Sequence, residues 1–353
     1  MMTNQNTKNI FFLILSLFIL FNVIQTSRIP VWLDCDPGID DALAMLLAGH
    51  NSRIKLLGIS TTFGNQDIQK TTNNALGLAE FFDMSEVDIN QGFAYKYLEI
   101  NIPISGEKFH GESGFADVVL PVNKKPLLKQ RLLPHMFEVI TSQKEKVTII
   151  AVGPLTNIAL FLKAYPDVKN YIEEIAVMGG AIGQGNVAGL AAEFNIFNDP
   201  HAAHVVFHSG IKVIMFPLDV THQLDINEAI KRRISELNSR ISRSIISSLD
   251  YYTKMIKKHS NVTKIPLHDP CPVAYIINKD LFETTFINVE VEIDSVLSRG
   301  RTLCDLHNFS ERTPNVHVAT KVHVEEFWKV MFAAINQANE KSLYGRNERK
   351  EDI

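Results

Sequence analysis

The chain has 353 residues, of which 46% are hydrophobic, and its 35 basic and 39 acidic residues give a net charge of −4. This length and composition allow one large core or two modest ones, and we expect a single large α/β domain. No block of basic residues occurs, so nucleic acid is not an expected partner. The three cysteines include no Cys-x-x-Cys pair and are expected to be buried thiols rather than a disulfide framework.

Residues 1–27 have the pattern of a targeting segment. The uncharged apolar run from Ile10 to Ile24 is shorter than the roughly 20 residues that span a bilayer. We therefore expect a signal peptide cleaved near Ser27, and a protein that is secreted or enters the lumen of the secretory pathway or lysosome. Without cleavage, the same run would anchor the protein in a membrane. Sequons at Asn261 and Asn308 fit a secreted glycoprotein.

Four carboxylates, those of Asp34, Asp36, Asp40 and Asp41, lie within eight residues where a predicted strand gives way to a predicted helix. Like charges a few ångströms apart raise one another's pKa unless a cation lies among them. Oxygen-only ligands suit calcium or magnesium, and the carboxyl ends of strands are where open α/β sheets bind ligands. This stretch therefore predicts a cation site rather than capping and turn chemistry alone.

Strands and helices are predicted to alternate along the chain, from hydrophobic runs separated by turn residues. Strands are expected over residues 31–35, 54–63, 87–91, 146–152, 172–178 and 212–218, and helices over 42–48 (closed by Gly49), 67–82, 156–164 and 273–278. A polar amphipathic segment over 227–258 is a candidate lid, 289–296 and 315–322 are expected edge strands, and 325–338 a packing helix. This order predicts a mostly parallel, doubly wound, Rossmann-like sheet in one domain.

Polar side chains recur where the predicted strands end. Asn65 follows the second strand, and Glu193 and Asn195 follow a glycine-rich loop over 179–189. That loop lacks the Lys and Ser/Thr of a phosphate loop, so it does not predict a nucleotide-phosphate cradle. Amide and carboxylate side chains of this kind are suited to binding the hydroxyl groups of a small molecule.

Two loop histidines differ as candidates. His110 stands alone between glycines, where a structural role is more common. His268 stands beside Asp269, in a chain already expected to need cation ligands, which favours a functional role. A histidine pKa of about 6.5 would leave a protonated fraction at neutral pH, so we expect His268 to act as a proton donor.

Several motifs resemble the inosine-uridine preferring nucleoside hydrolase family, in that family's order. They are DCDPGIDDALAMLLA, TTFGNQ, FHGESG, VGPLTNIA, AEFNIFNDP and PLHDPC. The likeness covers roughly residues 30–335 and implies a hydrolase domain over 28–340 followed by a polar tail over 341–353. It implies calcium-dependent hydrolysis of the N-glycosidic bond of ribonucleosides such as inosine and uridine, in purine and pyrimidine salvage.

The resemblance also implies a role for each matching residue. Calcium would be held by Asp36, Asp41, Asp269 and the backbone carbonyl of Val152, and Asp36 would also be the general base on a metal-bound water. Ribose would be bound by Asp40, Asn65, Asn186, Glu193 and Asn195. The expected partner is a small-molecule ribonucleoside, with no stable membrane partner once the signal is cleaved, and the family likeness implies a homo-oligomer.

Two other functions fit parts of the sequence. A phosphatase with a nucleophilic Asp is suggested by Asp34-x-Asp36 after a strand, but no cationic helper follows in matching context. A non-catalytic calcium-dependent nucleoside or sugar receptor fits the secretory start, and only turnover distinguishes it from the enzyme. An EF-hand fails, because Gly38 stands two places after Asp36 and no closing Glu follows.

One position departs from the family pattern. Purine-competent members carry a tyrosine on the lid helix, a few residues after a stretch like Tyr-Tyr-Thr-Lys at 251–254. The corresponding residue here is Ile256, which cannot donate a proton. Tyr251, Tyr252 or His259 would have to substitute for it.

Overall fold

The structure, a computed structural model, describes residues 28–98, 105–116, 118–183 and 188–344. The expected signal peptide over 1–27, the expected ribose ligand Asn186 and the end of the tail over 345–353 lie outside the described residues. In the part of the chain that is described, no helix has the length and apolar character needed to cross a membrane.

Strands and helices alternate through most of the described chain. The strands are β1 Ile29–Cys35, β2 Ile54–Thr61, β3 Ile89–Gln91, β4 Val147–Ala151, β5 Ile172–Met178, β6 Lys212–Phe216, β7 Phe282–Ile287, β8 Val289–Val291, β9 Thr302–Cys304 and β10 Val316–Val322. The α-helices are α1 Ile39–His50, α2 Ile68–Phe81, α3 Glu107–His110, α4 Leu132–Thr141, α5 Thr156–Ala164, α6 Phe194–Asn198, α7 Pro200–Phe207, α8 Leu218–Thr221, α9 Glu228–Ser235, α10 Arg240–His259, α11 Pro270–Ile277 and α12 Val324–Lys341.

Eight strands form one sheet in the order β3-β2-β1-β4-β5-β6-β10-β7. Neighbouring strands are parallel except for β7, which runs antiparallel to β10 at one edge. The predicted mostly parallel, doubly wound α/β sheet in a single domain is confirmed. Because the strand order reverses at β1, the carboxyl ends of β1 and its neighbour β4 border the crevice where such sheets bind ligands.

Both faces of the sheet are covered, which explains the continuous apolar runs of its central strands. Every residue of β4 is buried. Trp32 and Leu33 are adjacent in β1 but belong to different core clusters, because successive side chains of a strand point to opposite faces. A parallel strand sandwiched in this way has no solvent face to carry polar residues.

Several predicted elements differ from the structure. Residues 315–322 were expected at an edge, but β10 lies inside the sheet between β6 and β7. The edge strand β7 has four exposed residues in a row, so its sequence lacks the apolar run of a buried strand. Residues 289–296 supply only β8, which pairs with β9 outside the main sheet, and the lid segment forms two helices, α9 and α10.

The first helix is longer than predicted at both ends. It begins at Ile39 and runs through Gly49 to His50, so Gly49 does not close it. Gly49 instead packs closely against the side chain of Met84, which a Cβ at this position would overlap. At the other end of the chain, α12 includes Lys341 and the buried Ser342 donates a hydrogen bond to the carbonyl of Phe81 at 2.7 Å.

Candidate active site

A cavity of about 270 Å³ opens at the carboxyl edge of the sheet. Its polar lining includes Asp36, Asp40, Asn65, His110, Glu193, Asn195, His268 and Asp269, and its apolar lining includes Phe109, Val152, Met178, Leu218 and Tyr252. The structure therefore gathers most of the sequence-predicted site residues around one space. Asp41 lies beneath this lining, where it binds the turn between β1 and α1.

Asp36 follows β1 directly and is buried. Its Oδ2 accepts the backbone N–H of Asn65 at 2.7 Å, whereas its Oδ1 has no hydrogen-bond partner among the described residues. Asn65 in turn donates through Nδ2 to the backbone carbonyl of Asp36 at 3.1 Å and to Oδ2 of Asp41 at 2.8 Å. The amide of Asn65 thus fixes the two carboxylates relative to each other and leaves one oxygen of Asp36 free.

Asp41 organises the turn that carries Asp36. Its two oxygens accept the backbone N–H groups of Asp36 and Gly38, each at 3.0 Å. Oxygen atoms of Asp40, Asp41 and Asp269 lie within 4.8 Å of one another, close enough to share one cation. The geometric cluster thus contains Asp40, which the resemblance implies as a ribose ligand, alongside two of the implied metal ligands.

These carboxylates are buried in mutual proximity, and their pKa values rise accordingly. Burial and the charge of Asp41 raise the pKa of Asp36 well above its usual range and that of Asp40 to about 7. Burial, followed by Asp40 and Asp41, also raises the pKa of Asp269. The folded protein therefore disfavours the ionised forms unless a cation lies among them. An all-oxygen donor set of this kind fits a hard divalent cation.

Two glycines make room for Asp36. A Cβ built at Gly153 would lie 2.5 Å from Oδ1 of Asp36, and one at Gly64, whose φ is +153°, would overlap the same carboxylate. Each glycine stands just past the end of a strand, after β4 and β2 respectively. Their positions explain why the Gly-Asn and Gly-Pro turns visible in the sequence occur at this edge.

The opposite wall is built by the start of α6. Glu193 caps this helix, because its Oε1 accepts the N–H of Asn195 at 2.8 Å and its Oε2 accepts the N–H of Ile196 at 3.1 Å. Burial raises the pKa of Glu193 to about 7. Asn195 donates through Nδ2 to the backbone carbonyl of Val152 at 2.8 Å, so it holds the carbonyl implied as a metal ligand.

A sequence model described as inosine-uridine preferring nucleoside hydrolase matches residues 31–329. The chain belongs to this nucleoside hydrolase family. The family is metal-dependent, in keeping with the acidic cluster. The predicted enzyme class, a ribonucleoside N-ribohydrolase acting on N-glycosyl bonds, is confirmed.

Individual relatives agree over nearly the whole domain. A probable ribonucleoside hydrolase of Dictyostelium discoideum is 38% identical over 332 residues, which cover 89% of this chain and 96% of that protein. The inosine-uridine preferring nucleoside hydrolase of Crithidia fasciculata is 36% identical, covering 86% of this chain and 96% of that protein. A solved purine-preferring ribonucleoside hydrolase from Gardnerella vaginalis is 29% identical with a TM-score of 0.80, covering 88% of this chain and 99% of that one.

Within this nucleoside hydrolase fold, His110 is more involved in the site than its sequence context indicates. Its Nδ1 accepts the backbone N–H of Ile39 at 3.0 Å, so a neutral ring carries its proton on Nε2. Its ring centroid lies 5.6 Å from that of Tyr252. Burial lowers the pKa of His110 to about 4. In the sequence, the FHGESG motif indicates that His110 belongs to the site, whereas a single loop histidine does not.

His268 lines the cavity as expected, but it lacks the protonated fraction expected at neutral pH. Burial, followed by the neighbouring His222 and His110, lowers the pKa of His268 to about 3, so the ring is neutral near pH 7. Its Nδ1 lies 2.8 Å from the hydroxyl oxygen of Thr221, a partner that the sequence did not indicate. When Thr221 donates to Nδ1, the proton of the neutral ring is on Nε2.

The helix α10 brings one of the alternative donors to the cavity. Tyr252 is buried and lines it, and burial, followed by Asp40, Asp269 and Asp41, raises the pKa of its hydroxyl. Ile256 is buried in the apolar core, as its side chain requires. His259 contacts Phe109 edge-on at the surface, with ring centroids 6.4 Å apart. Tyr252 is therefore better placed than His259 to replace the missing lid tyrosine.

Proposed function

We propose that this nucleoside hydrolase cleaves inosine-like and uridine-like ribonucleosides to ribose and free base, that it requires calcium, and that Asp36 is its general base. The observation that supports this proposal best is the buried Asp36 carboxylate. Asp36 lines a cavity together with other carboxylate and amide side chains, and its buried Oδ1 has no hydrogen-bond partner among the described residues. A general base needs a free lone pair within reach of the water that it deprotonates.

The donor set supports calcium as the cation. Asp36, Asp41, Asp269 and the carbonyl of Val152 would hold it, and Asp40 lies close enough to Asp41 and Asp269 to contribute. Calcium accepts six to eight oxygen ligands in flexible geometry, which suits carboxylates that differ in orientation. When bound, calcium would offset the carboxylate charge and supply electrostatic stabilisation of the attacking water and the ribose hydroxyls.

The protein's own groups supply the remaining chemistry. Asp36 would take the proton of the attacking water as the glycosidic bond breaks. Nearby carboxylates favour the positive charge that develops on the sugar in an oxocarbenium-like transition state. Asp40, Asn65, Glu193 and Asn195 would bind ribose, together with Asn186 beyond the described residues.

The deciding experiment incubates the purified protein with a panel of nucleosides and measures free ribose. We expect release from inosine and uridine, loss of release after chelation with EDTA, and recovery when calcium is added. The physical reason is that the buried carboxylates repel one another once the cation is removed. Full activity in metal-free protein would contradict the calcium proposal, and calcium binding without ribose release would favour the receptor.

We also propose that the mature protein begins near Ser27 and enters the secretory pathway. Both sequon asparagines, Asn261 and Asn308, are exposed, as glycosylation requires. N-terminal sequencing of protein made in a eukaryotic cell tests this, and an intact Met1 on cytosolic protein would refute it. By family resemblance we further propose a homo-oligomer, which light scattering of the same preparation measures.

A further inference from the structure

A second group of metal-ligating side chains lies apart from the cavity. It consists of His204 on α7, His208 directly after that helix, and Glu290 on β8. One candidate ligand atom from each lies within 4.8 Å of those of the other two. In the described parts of the chain, the only other group that meets this criterion is the acidic cluster of the active site.

The topology separates this group from the active site. Helix α7 starts near the cavity wall, one residue after α6, and runs toward the turn that leads into Lys212 at the amino end of β6. Parallel strands place their amino ends at the sheet edge opposite their carboxyl ends. None of His204, His208 and Glu290 lines the active-site cavity.

His208 is oriented as a metal ligand would be. Its Nδ1 lies 2.9 Å from the backbone carbonyl of His204, and because a carbonyl only accepts, this nitrogen carries a proton. In the neutral ring the lone pair is then on Nε2, which lies 3.1 Å from Oε2 of Glu290. Two acceptors at this distance repel unless a proton or a metal cation lies between them. A histidine held through Nδ1–H to a carbonyl is the usual arrangement behind a metal-bound imidazole.

Glu290 is also oriented by contacts on the carboxylate oxygen that does not face His208. Its Oε1 accepts Nη1 of Arg312 at 3.0 Å and Nδ2 of Asn288 at 3.3 Å. These contacts fix the carboxylate and leave Oε2 directed at His208. The positive charge of Arg312 opposes a cation at the same carboxylate, whereas its contact with Oε1 holds that carboxylate in place.

His204 completes the group one helical turn before His208. The two ring centroids are 4.3 Å apart, with 33° between the ring planes. Nδ1 of His204 is buried without a hydrogen-bond partner among the described residues, so a metal ion would break no hydrogen bond at that atom. The side chain of His208 is 36% exposed, which leaves a path for an ion and for water ligands.

We propose that His204, His208 and Glu290 form a binding site for a borderline divalent transition-metal ion, with zinc as the reference ion and water as the remaining ligand. Two imidazole nitrogens and one carboxylate oxygen match zinc and its neighbours rather than calcium, which takes oxygen ligands. Such an ion would link α7 to the β8–β9 pair and stabilise the folded state by binding it selectively.

The test titrates zinc chloride into purified protein kept saturated with calcium, so that the acidic site is already filled. Isothermal titration calorimetry should give one zinc ion per chain, and the melting temperature should rise with zinc. His208→Ala and Glu290→Gln each remove a direct ligand, so each should weaken zinc binding by at least about tenfold. Loss of a group that only hydrogen-bonds to a metal ligand already lowers metal affinity by about 10- to 100-fold.

Two controls distinguish a metal site from an ordinary ion pair between protonated His208 and Glu290. His307→Ala removes an exposed histidine outside the group and should leave zinc affinity unchanged. Ribose release by His208→Ala in calcium alone should match that of the natural chain, which would show that the variant is folded. No zinc binding by the natural chain, or equal binding by His208→Ala, would overturn the proposal and leave the ion pair as the explanation.

Discussion

Replacing Asp36 with asparagine should lower the rate of ribose release by about 10²- to 10⁴-fold, the range that general-base catalysis contributes. Asparagine cannot take a proton from water, and its amide is a weaker cation ligand than a carboxylate. The shape of the side chain is preserved. Its oxygen can still accept the N–H of Asn65, the contact that Oδ2 of Asp36 makes at 2.7 Å.

The same substitution should not unfold the protein, and its stability gives a second readout. Burial and Asp41 raise the pKa of Asp36, which means that the ionised side chain is unfavourable in the folded protein without a cation. Removing that charge should leave the melting temperature of calcium-free protein unchanged or raise it. Calcium should then raise the melting temperature of Asp36→Asn less than that of the natural chain.

Asp67→Asn is the matched control. Asp67 is an exposed residue that caps α2 by accepting the N–H groups of Gln69 and Lys70 at 2.9 and 3.0 Å. Asparagine caps helices about as well as aspartate, so this variant should keep its activity. If Asp36→Asn retained activity within a few-fold of the control, Asp36 would not be the general base.

Replacing His268 with alanine should slow inosine hydrolysis by about 10²-fold and p-nitrophenyl riboside hydrolysis only a few-fold. The departing hypoxanthine carries negative charge that a hydrogen-bond or proton donor must stabilise, whereas p-nitrophenolate is stable without one. His268 lines the cavity beside Asp269, and it can present an Nε2–H group when Thr221 binds its Nδ1. Because the ring is neutral near pH 7, the donor would be the imidazole N–H rather than an imidazolium.

Two companion variants locate the donor. Thr221→Val removes the hydroxyl group that binds Nδ1 of His268. It should slow inosine hydrolysis, but less than His268→Ala does. Tyr252→Phe tests the other donor-bearing side chain that reaches the cavity from α10. An equal loss on both substrates in His268→Ala would make His268 a positioning residue, and a selective inosine loss in Tyr252→Phe alone would transfer the role to Tyr252.

Much of the fold and part of the site follow from local sequence. Apolar runs in the sequence predicted most of the strands and helices. The signal is strong for the central strands, because a central parallel strand carries no polar face. The edge strand β7 and the short strand β9 were not predicted, and β8 is shorter than the strand expected over 289–296, since exposed or very short strands leave little pattern. Asp36, Asp40 and Asp41 were found because they stand within one turn at the end of β1, where chain order alone brings them together.

Contacts between distant segments required the tertiary structure. Asp269 joins Asp40 and Asp41, and His110 accepts the N–H of Ile39, only because loops from separate βα units meet at one sheet edge. Likewise, the sequence placed His268 near the site, but its pKa is set by burial and by His222 and His110, so the reference value did not apply. Sequence thus determined the family, the sheet class and the local acidic turn, whereas packing decided which side chains share a site and in which protonation state.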